Sequence, residues 1–263
     1  MKLLLSMVIV ILSLPIQSAR AESYTCVSLE YPPLIQQGRD GRPHGFAVAL
    51  VEQIFKQLGH TVTIKIYPWS RSLAMIRLGQ ADCIFTLYRT SEREQFLDYS
   101  QEILARQIVY FYAQDNASFS FNGDLKSVKG FRIGVVRGID YGPKFEGARA
   151  TLNINEASTV EQNFRKLAVG RVDLIPSNMY TANATIAHPA MQEYKGKFIK
   201  LATPIEVVPS YIGFSKTKRL TTLRDRFDVE LRKFYLTDEY GRLLKKHQLE
   251  CTRDLPMVPA PQC

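Results

Sequence analysis

The sequence predicts an α/β protein made of two lobes with similar topology, and three observations carry that expectation. Strand–helix–strand patterns with the length of a parallel crossover occur near the start of the chain and again after residue 125. A short segment echoes itself. Leu78-Gly79-Gln80-Ala81-Asp82-Cys83-Ile84 and Val169-Gly170-Arg171-Val172-Asp173-Leu174-Ile175 both read as helix, Gly, polar residue, small apolar residue, Asp, strand. Residues 107–112 and 207–214 are extended segments suited to joining the lobes. The echo is short, and one turn solution used twice would leave the same trace.

In chain order, residues 1–21 have the pattern of a secretory signal: Lys2, an apolar core over 3–14, and Ala19-Arg20-Ala21 as a small-x-small cleavage site. The apolar run is short for a membrane anchor, so cleavage before Glu22 is expected. A strand near 25–29 follows, then a Gly/Pro-rich loop. Phe46, Leu50, Ile54 and Leu58 stripe a helix closed by Gly59, and Val62, Ile64 and Ile66 alternate as a strand. Trp69, Leu73 and Ile76 stripe the next helix, which Ser70 can cap and Gly79 ends. The apolar run 81–85 reads as a strand covered on both faces. Ser91 with Glu94 has the capping-box spacing, which starts a helix with Arg93 in its first turn.

The second unit opens with a strand over 131–136 and the loop Arg137-Gly138-Ile139-Asp140. Thr159 with Gln162 caps a helix facing inward through Val160, Phe164 and Leu167, which ends at Gly170 before the strand 172–175. Leu223, Phe227, Leu231 and Phe234 stripe a long helix, and Tyr240, Leu243 and His247 a shorter one. Gly134-Val135-Val136-Arg137-Gly138 lacks the Gly-Lys-Ser/Thr ending of a phosphate loop and is discounted.

The formal charge is +9, of which Lys2 and Arg20 leave with the signal. The remaining basic residues are dispersed, as on a solvated surface, and export argues against nucleic acid. Cys251 and Cys263 lie in the Pro-rich tail of an exported chain and are expected to form a disulfide. Cys26 and Cys83 sit in buried strands, as a second bridge or as small core residues. His44, His60, His188 and His247 are scattered, so no metal site is expected.

Several motifs resemble the bacterial extracellular solute-binding proteins of family 3, the periplasmic polar amino-acid-binding proteins of ABC transporters. Gly79-Gln80-Ala81-Asp82, Thr90-Ser91-Glu92-Arg93 and Tyr99-Ser100 follow that family's order. So do Tyr31-Pro32-Pro33, Gly41, Gly45-Phe46 and the stretch from Tyr211 through Ile212-Gly213-Phe214-Ser215 to Lys216. The resemblance implies a bilobed periplasmic-binding-protein fold of type II. Lobe 1 is then discontinuous, over 22–112 and 210–263, with lobe 2 over 113–209 and a cleft between lobes hinged by two strands.

The same resemblance implies ligand-binding residues. Arg93 matches the clamp for an α-carboxylate, a role suited to its planar fork of donors; a surface Arg paired with an acid such as Glu94 is the plain alternative. Thr86 and Tyr88 lie at the strand end, where hydroxyls would reach the same carboxylate. Tyr31 matches an aromatic that packs on the ligand, with packing beside Pro32 and Pro33 as the equal alternative; apart from the resemblance, Trp69 begins a helix at a strand end and either faces the cleft or opens that helix's core stripe, and Arg89 and Arg71 add positive potential or are simply solvated. The family places an Asp near Asn178 to take an α-ammonium. Asn brings no charge, so Asp140 or Glu30 substitutes, or the ligand is not an ordinary amino acid.

The function implied is capture of a small carboxylate-bearing solute by hinge closure and delivery to an inner-membrane ABC transporter permease, by a monomer without a cofactor, a nucleic-acid partner or a reaction. Two alternatives are a cyclohexadienyl-dehydratase-like enzyme on the same scaffold, with Glu30 or Asp140 as general acid, and a ligand-sensing accessory protein.

Overall fold

A computed structural model describes residues 21–247 and Leu249. Strand β1 (Ser23–Ser28) leads through the small hairpin β2 (Gln36–Gln37) and β3 (Pro43–His44) into helix α1 (Phe46–Gln57) and strand β4 (Thr61–Ile66). Gly45 makes the entry to α1 possible. Its φ is 125°, and a Cβ there would lie 2.4 Å from the Leu34 carbonyl oxygen. Helix α2 (Trp69–Arg77) crosses to β5 (Cys83–Leu87), and β1 lies between β4 and β5, parallel to both. Parallel strands with helical crossovers bury both faces, which is why all of β5 is buried.

A short helix α3 (Ser91–Glu94) and strand β6 (Leu97–Tyr99) precede the first long strand, β7 (Ala105–Gln114). The second lobe contains β8 (Arg132–Val136), α4 (Pro143–Ala148), β9 (Asn153–Ala157), α5 (Val160–Ala168), β10 (Ile175–Asn178) and α6 (Met179–Ala187). The chain returns along β11 (Phe198–Ser215), 18 residues long. β11 pairs antiparallel with β7 over its first part and with β5 and β6 over its last part. The sheet order β10-β7-β11-β5-β1-β4 therefore runs from one lobe to the other through two antiparallel strands. The fold is the bilobed type II architecture.

Helices α7 (Thr221–Phe234) and α8 (Asp238–Lys246) return to the first lobe. Phe55 of α1 meets Phe227 of α7 at 5.7 Å between ring centroids, and Phe46 meets Tyr240 of α8 at 6.3 Å. Ala105 on β7 belongs to this first-lobe core, whereas Val109, Phe111 and Ala113 and, on the other face, Ile108, Tyr110 and Tyr112 pack in second-lobe cores.

Two helix starts differ from the sequence reading. Thr90, not Ser91, caps α3: its hydroxyl accepts from the Arg93 amide at 3.3 Å. α2 begins after Pro68 without a side-chain cap from Ser70. The Thr159 cap of α5 forms as expected, accepting from the Gln162 amide at 3.1 Å. Cys26 and Cys83 face each other across β1 and β5 and are joined in a disulfide, which decides between the two readings of that pair. The expected Cys251–Cys263 bridge and the signal residues 1–20 lie outside the described residues.

Candidate functional site

The cleft between the lobes is lined from the first lobe by Glu30, Tyr31, Trp69, Thr86, Tyr88 and Arg93. Asp140, Tyr141, Val160, Ser177, Asn178 and Thr181 face them from the second, with Gln107 and Val109 of β7 between. Of the eight residues expected from the sequence, seven line the cleft: Arg93, Tyr31, Trp69, Thr86, Tyr88, Asp140 and Asn178.

Arg93 is positioned by its surroundings. It is only 9% exposed. Its Nη1 donates to the Tyr88 carbonyl at 3.1 Å, and its guanidinium carbon stands 5.5 Å from the centre of the Trp69 ring. The Tyr99 hydroxyl donates to the same Tyr88 carbonyl at 2.9 Å, which pins the segment between β5 and α3. No carboxylate among the described residues lies within ion-pair distance of Arg93, and it is the one cation among the cleft-lining residues described. Glu94, the partner weighed from the sequence, pairs instead with Arg89 at 3.7 Å.

Arg89 is the residue that leaves the expected set. Its guanidinium lies about equally far from the Tyr99 and Tyr211 rings, at 5.2 and 5.0 Å, and Nη2 donates to the Ser100 carbonyl at 2.9 Å. Those contacts turn it toward β6 and β11, away from the cleft. Arg71 stacks on Tyr67 at 4.3 Å, and Arg137 pairs with Glu156 at 3.0 Å.

Thr86 sits in the left-handed region at φ 59°, a strained conformation for a β-branched residue. It is the extra residue of a bulge: Leu87 pairs with Tyr211 and Phe85 with Ile212, leaving Thr86 unopposed. Its hydroxyl donates to the Phe85 carbonyl at 2.6 Å. Tyr88 donates to Gln107 Oε1 at 3.1 Å, and Gln107 Nε2 donates to the Thr86 carbonyl at 3.3 Å. The protons of Thr86 and Tyr88 are thus committed to the protein, contrary to the expectation that they would serve a carboxylate. Burial pushes the Tyr88 phenol well above its ordinary pKa, and the charges of Asp140 and Glu206 add to the rise.

On the second lobe, Asp140 is half-buried, and its Oδ1 accepts from the Gly142 amide at 2.8 Å. Asn178 caps α6: its Oδ1 accepts from the Tyr180 amide at 2.8 Å. One lone pair of that oxygen is therefore engaged by the cap, and the side chain brings no charge to meet an ammonium. Tyr141 and Thr181 also line the site and were not read from the sequence. Tyr141 follows Asp140 directly, a signal that was available. Thr181 depends on α6, whose small-residue sequence carries no apolar stripe.

A family model described as bacterial extracellular solute-binding proteins, family 3, matches residues 24–250. The L-cystine-binding protein TcyJ of Escherichia coli K12 is 27% identical over 146 residues, so the match spans about half of each protein, 55% of this chain and 54% of the relative. Among solved structures, a histidine kinase sensor domain with similarity to periplasmic binding proteins superposes with a TM-score of 0.71 at 18% identity, covering 85% of this chain and 95% of its own. A periplasmic binding protein of an arginine transport system from Legionella pneumophila gives 0.70 at 17%, covering 86% and 100%. The substrate-binding protein of an amino-acid ABC transporter gives 0.67 at 21%, covering 85% and 98%.

Proposed function

The chain belongs to family 3 of the bacterial extracellular solute-binding proteins, and from that premise we propose that it is a periplasmic protein that captures a small carboxylate-bearing solute between its lobes and delivers it to an ABC transporter. The observation that carries this is Arg93. A guanidinium this buried, without an acidic partner among the described residues, is costly unless an anion reaches it. A carboxylate entering the cleft would supply two acceptors in the plane of the fork.

Asp140 complements Arg93 from the opposite lobe. Its free oxygen is the candidate acceptor for a ligand ammonium, the role that Asn178 cannot fill, and Glu30 adds a second negative charge at the rim. Contacts to both lobes favour the closed arrangement, so binding shifts the population toward it. We place the lobe division at 209/210 on β11 and near Gln107 on β7, five residues before the expected 112, because the side chains from Ile108 onward pack in the second lobe.

The test is a thermal-shift screen of amino acids, keto acids and small organic acids, followed by calorimetry on Arg93→Ala. Removing one partner of a desolvated charge pair costs about 2–5 kcal/mol, roughly 30- to several-thousand-fold in affinity. Arg93→Lys recovers part of it, since an ammonium cannot reproduce the fork. Unchanged affinity in folded Arg93→Ala would move the anion site elsewhere. Loss of water from a bound cyclic acid during incubation would establish the enzyme reading instead.

A further inference from the structure

The two lobes touch one another directly through the first turn of α6. Its Tyr180 is half-buried and packs against the first-lobe core, where every other described side chain comes from the first lobe. The next residue, Thr181, brings its hydroxyl to the Tyr31 phenol as a hydrogen-bond neighbour, and neither hydroxyl has another partner among the described residues. Burial above all pushes the Tyr31 phenol well above its ordinary pKa, with Tyr88 and Tyr180 adding to the rise, so it stays protonated.

Each side of this contact is held in place by its own lobe. Tyr31 and Ile35 exchange backbone hydrogen bonds at 2.7 and 2.9 Å, and the Leu34 carbonyl accepts from the Ala47 amide at 3.0 Å, which ties the Tyr31 turn to α1. On the other side, Asn178 caps α6 by accepting from the Tyr180 amide at 2.8 Å, which fixes the first turn. Of all α6, only Ala182 is fully buried in the second-lobe core, so the largest side chain of this helix is spent across the cleft. Contacts between the lobes' own side chains favour the closed arrangement whatever the solute.

We propose that Tyr180, with the Tyr31–Thr181 pair, is a latch that holds the lobes together directly and sets the fraction of the protein closed before a solute binds. Tyr180 is not among the cleft-lining residues described, so it acts on closure and not on the solute. The hydroxyl pair contributes a modest factor, because both hydroxyls meet water when the lobes part. Tyr180 contributes more, since opening also returns apolar ring area to water.

The experiment is small-angle X-ray scattering of the solute-free protein, fitted as a mixture of open and closed forms. Tyr31→Phe combined with Thr181→Val should raise the open-to-closed ratio roughly 2- to 10-fold, the worth of one net hydrogen bond. Tyr180→Ala should raise it further. Circular dichroism checks that each variant is folded; if Tyr180→Ala is not, the hydroxyl variant decides, because it keeps both side-chain shapes. Identical scattering from the parent and the folded variants overturns the proposal, as does a parent that is wholly open. The measurement contains no solute, so its failure leaves the Arg93 carboxylate site standing. Failure of that site in calorimetry likewise leaves the latch standing.

Discussion

In the first lobe the Asp82 carboxylate accepts from the Thr25 amide at 2.7 Å, and the Asp82 amide donates to the Thr25 carbonyl at 2.8 Å. In the second lobe Asp173 makes the same two bonds with Arg132, also at 2.7 and 2.8 Å. The helix before each Asp ends at a glycine with φ 68°, Gly79 and Gly170. One residue after each Asp, the strand meets its parallel neighbour: Cys83 opposite Cys26 in one lobe, Leu174 opposite Ile133 in the other. Four residues then suffice to separate the lobes. β5 bulges at Thr86 and ends at Leu87, from where the chain passes into α3 with Arg93, whereas β10 stops at Asn178, which caps α6. The Asp is thus a scaffold residue that ties two strands together in each lobe. The residues of the proposed ligand site line the cleft beyond these strands, a cation with aromatic neighbours on one side and an acid with neutral donors on the other.

The disulfide is the largest difference inside the shared frame. Cys26→Ser with Cys83→Ser should cost about 2–5 kcal/mol in chemical denaturation, because the bridge closes a chain segment of 57 residues in the unfolded state. The second lobe holds the same position without a covalent bond, by packing of Leu174 and Ile133 in one core and by backbone hydrogen bonds between Leu174 and the neighbouring strand. A double variant as stable as the parent would show that contact to be sufficient in both lobes.

The two glycines sharpen the comparison. Gly170→Ala should cost about 1–2 kcal/mol from left-handed strain alone, since a Cβ there meets nothing within 4 Å. Gly79→Ala should cost more, because its Cβ would stand 2.6 Å from Thr217 Oγ1. Equal melting temperatures for the two variants would mean that Thr217 moves aside freely.

The smallest effect concerns pH. Hydrogen bonds from Arg132 hold the Asp173 carboxyl below its usual pKa. Stability from this pair is therefore full above the unfolded carboxyl value near pH 4 and is lost as pH falls through the lower folded value. The pair is partly exposed, which keeps the contribution modest. Asp173→Asn should flatten the acid limb of melting temperature against pH below about pH 4; an unchanged limb would assign it to other carboxylates.

Much of the frame is legible from local chemistry. The αL glycines, the Thr159 cap, the stripes of α1, α2, α5 and α7, and the strands they connect follow from residue types at fixed spacing. The failures are local in another way. β9 and α4 carry weak patterns, since β9 is mostly exposed and α4 is six residues long. The cap of α3 shifts by one because Thr90 and Ser91 are equally good cap residues, and only the chain's exit from β5 chooses between them.

What the sequence determined by itself is the periodic, nearest-neighbour part: which segments are helices and strands, where they stop, and that Arg93 starts a helix just beyond a buried strand. The tertiary structure decided what depends on residues far apart in the chain. Register across β1 and β5 brought Cys26 to Cys83. The hinge strand β11 produced the bulge at Thr86, and Tyr99 and Tyr211 drew Arg89 out of the cleft. The meeting of the lobes set Tyr31 against Thr181. Each of these requires a pairing across tens of residues, where many partners compete, and only packing of the whole chain selects one.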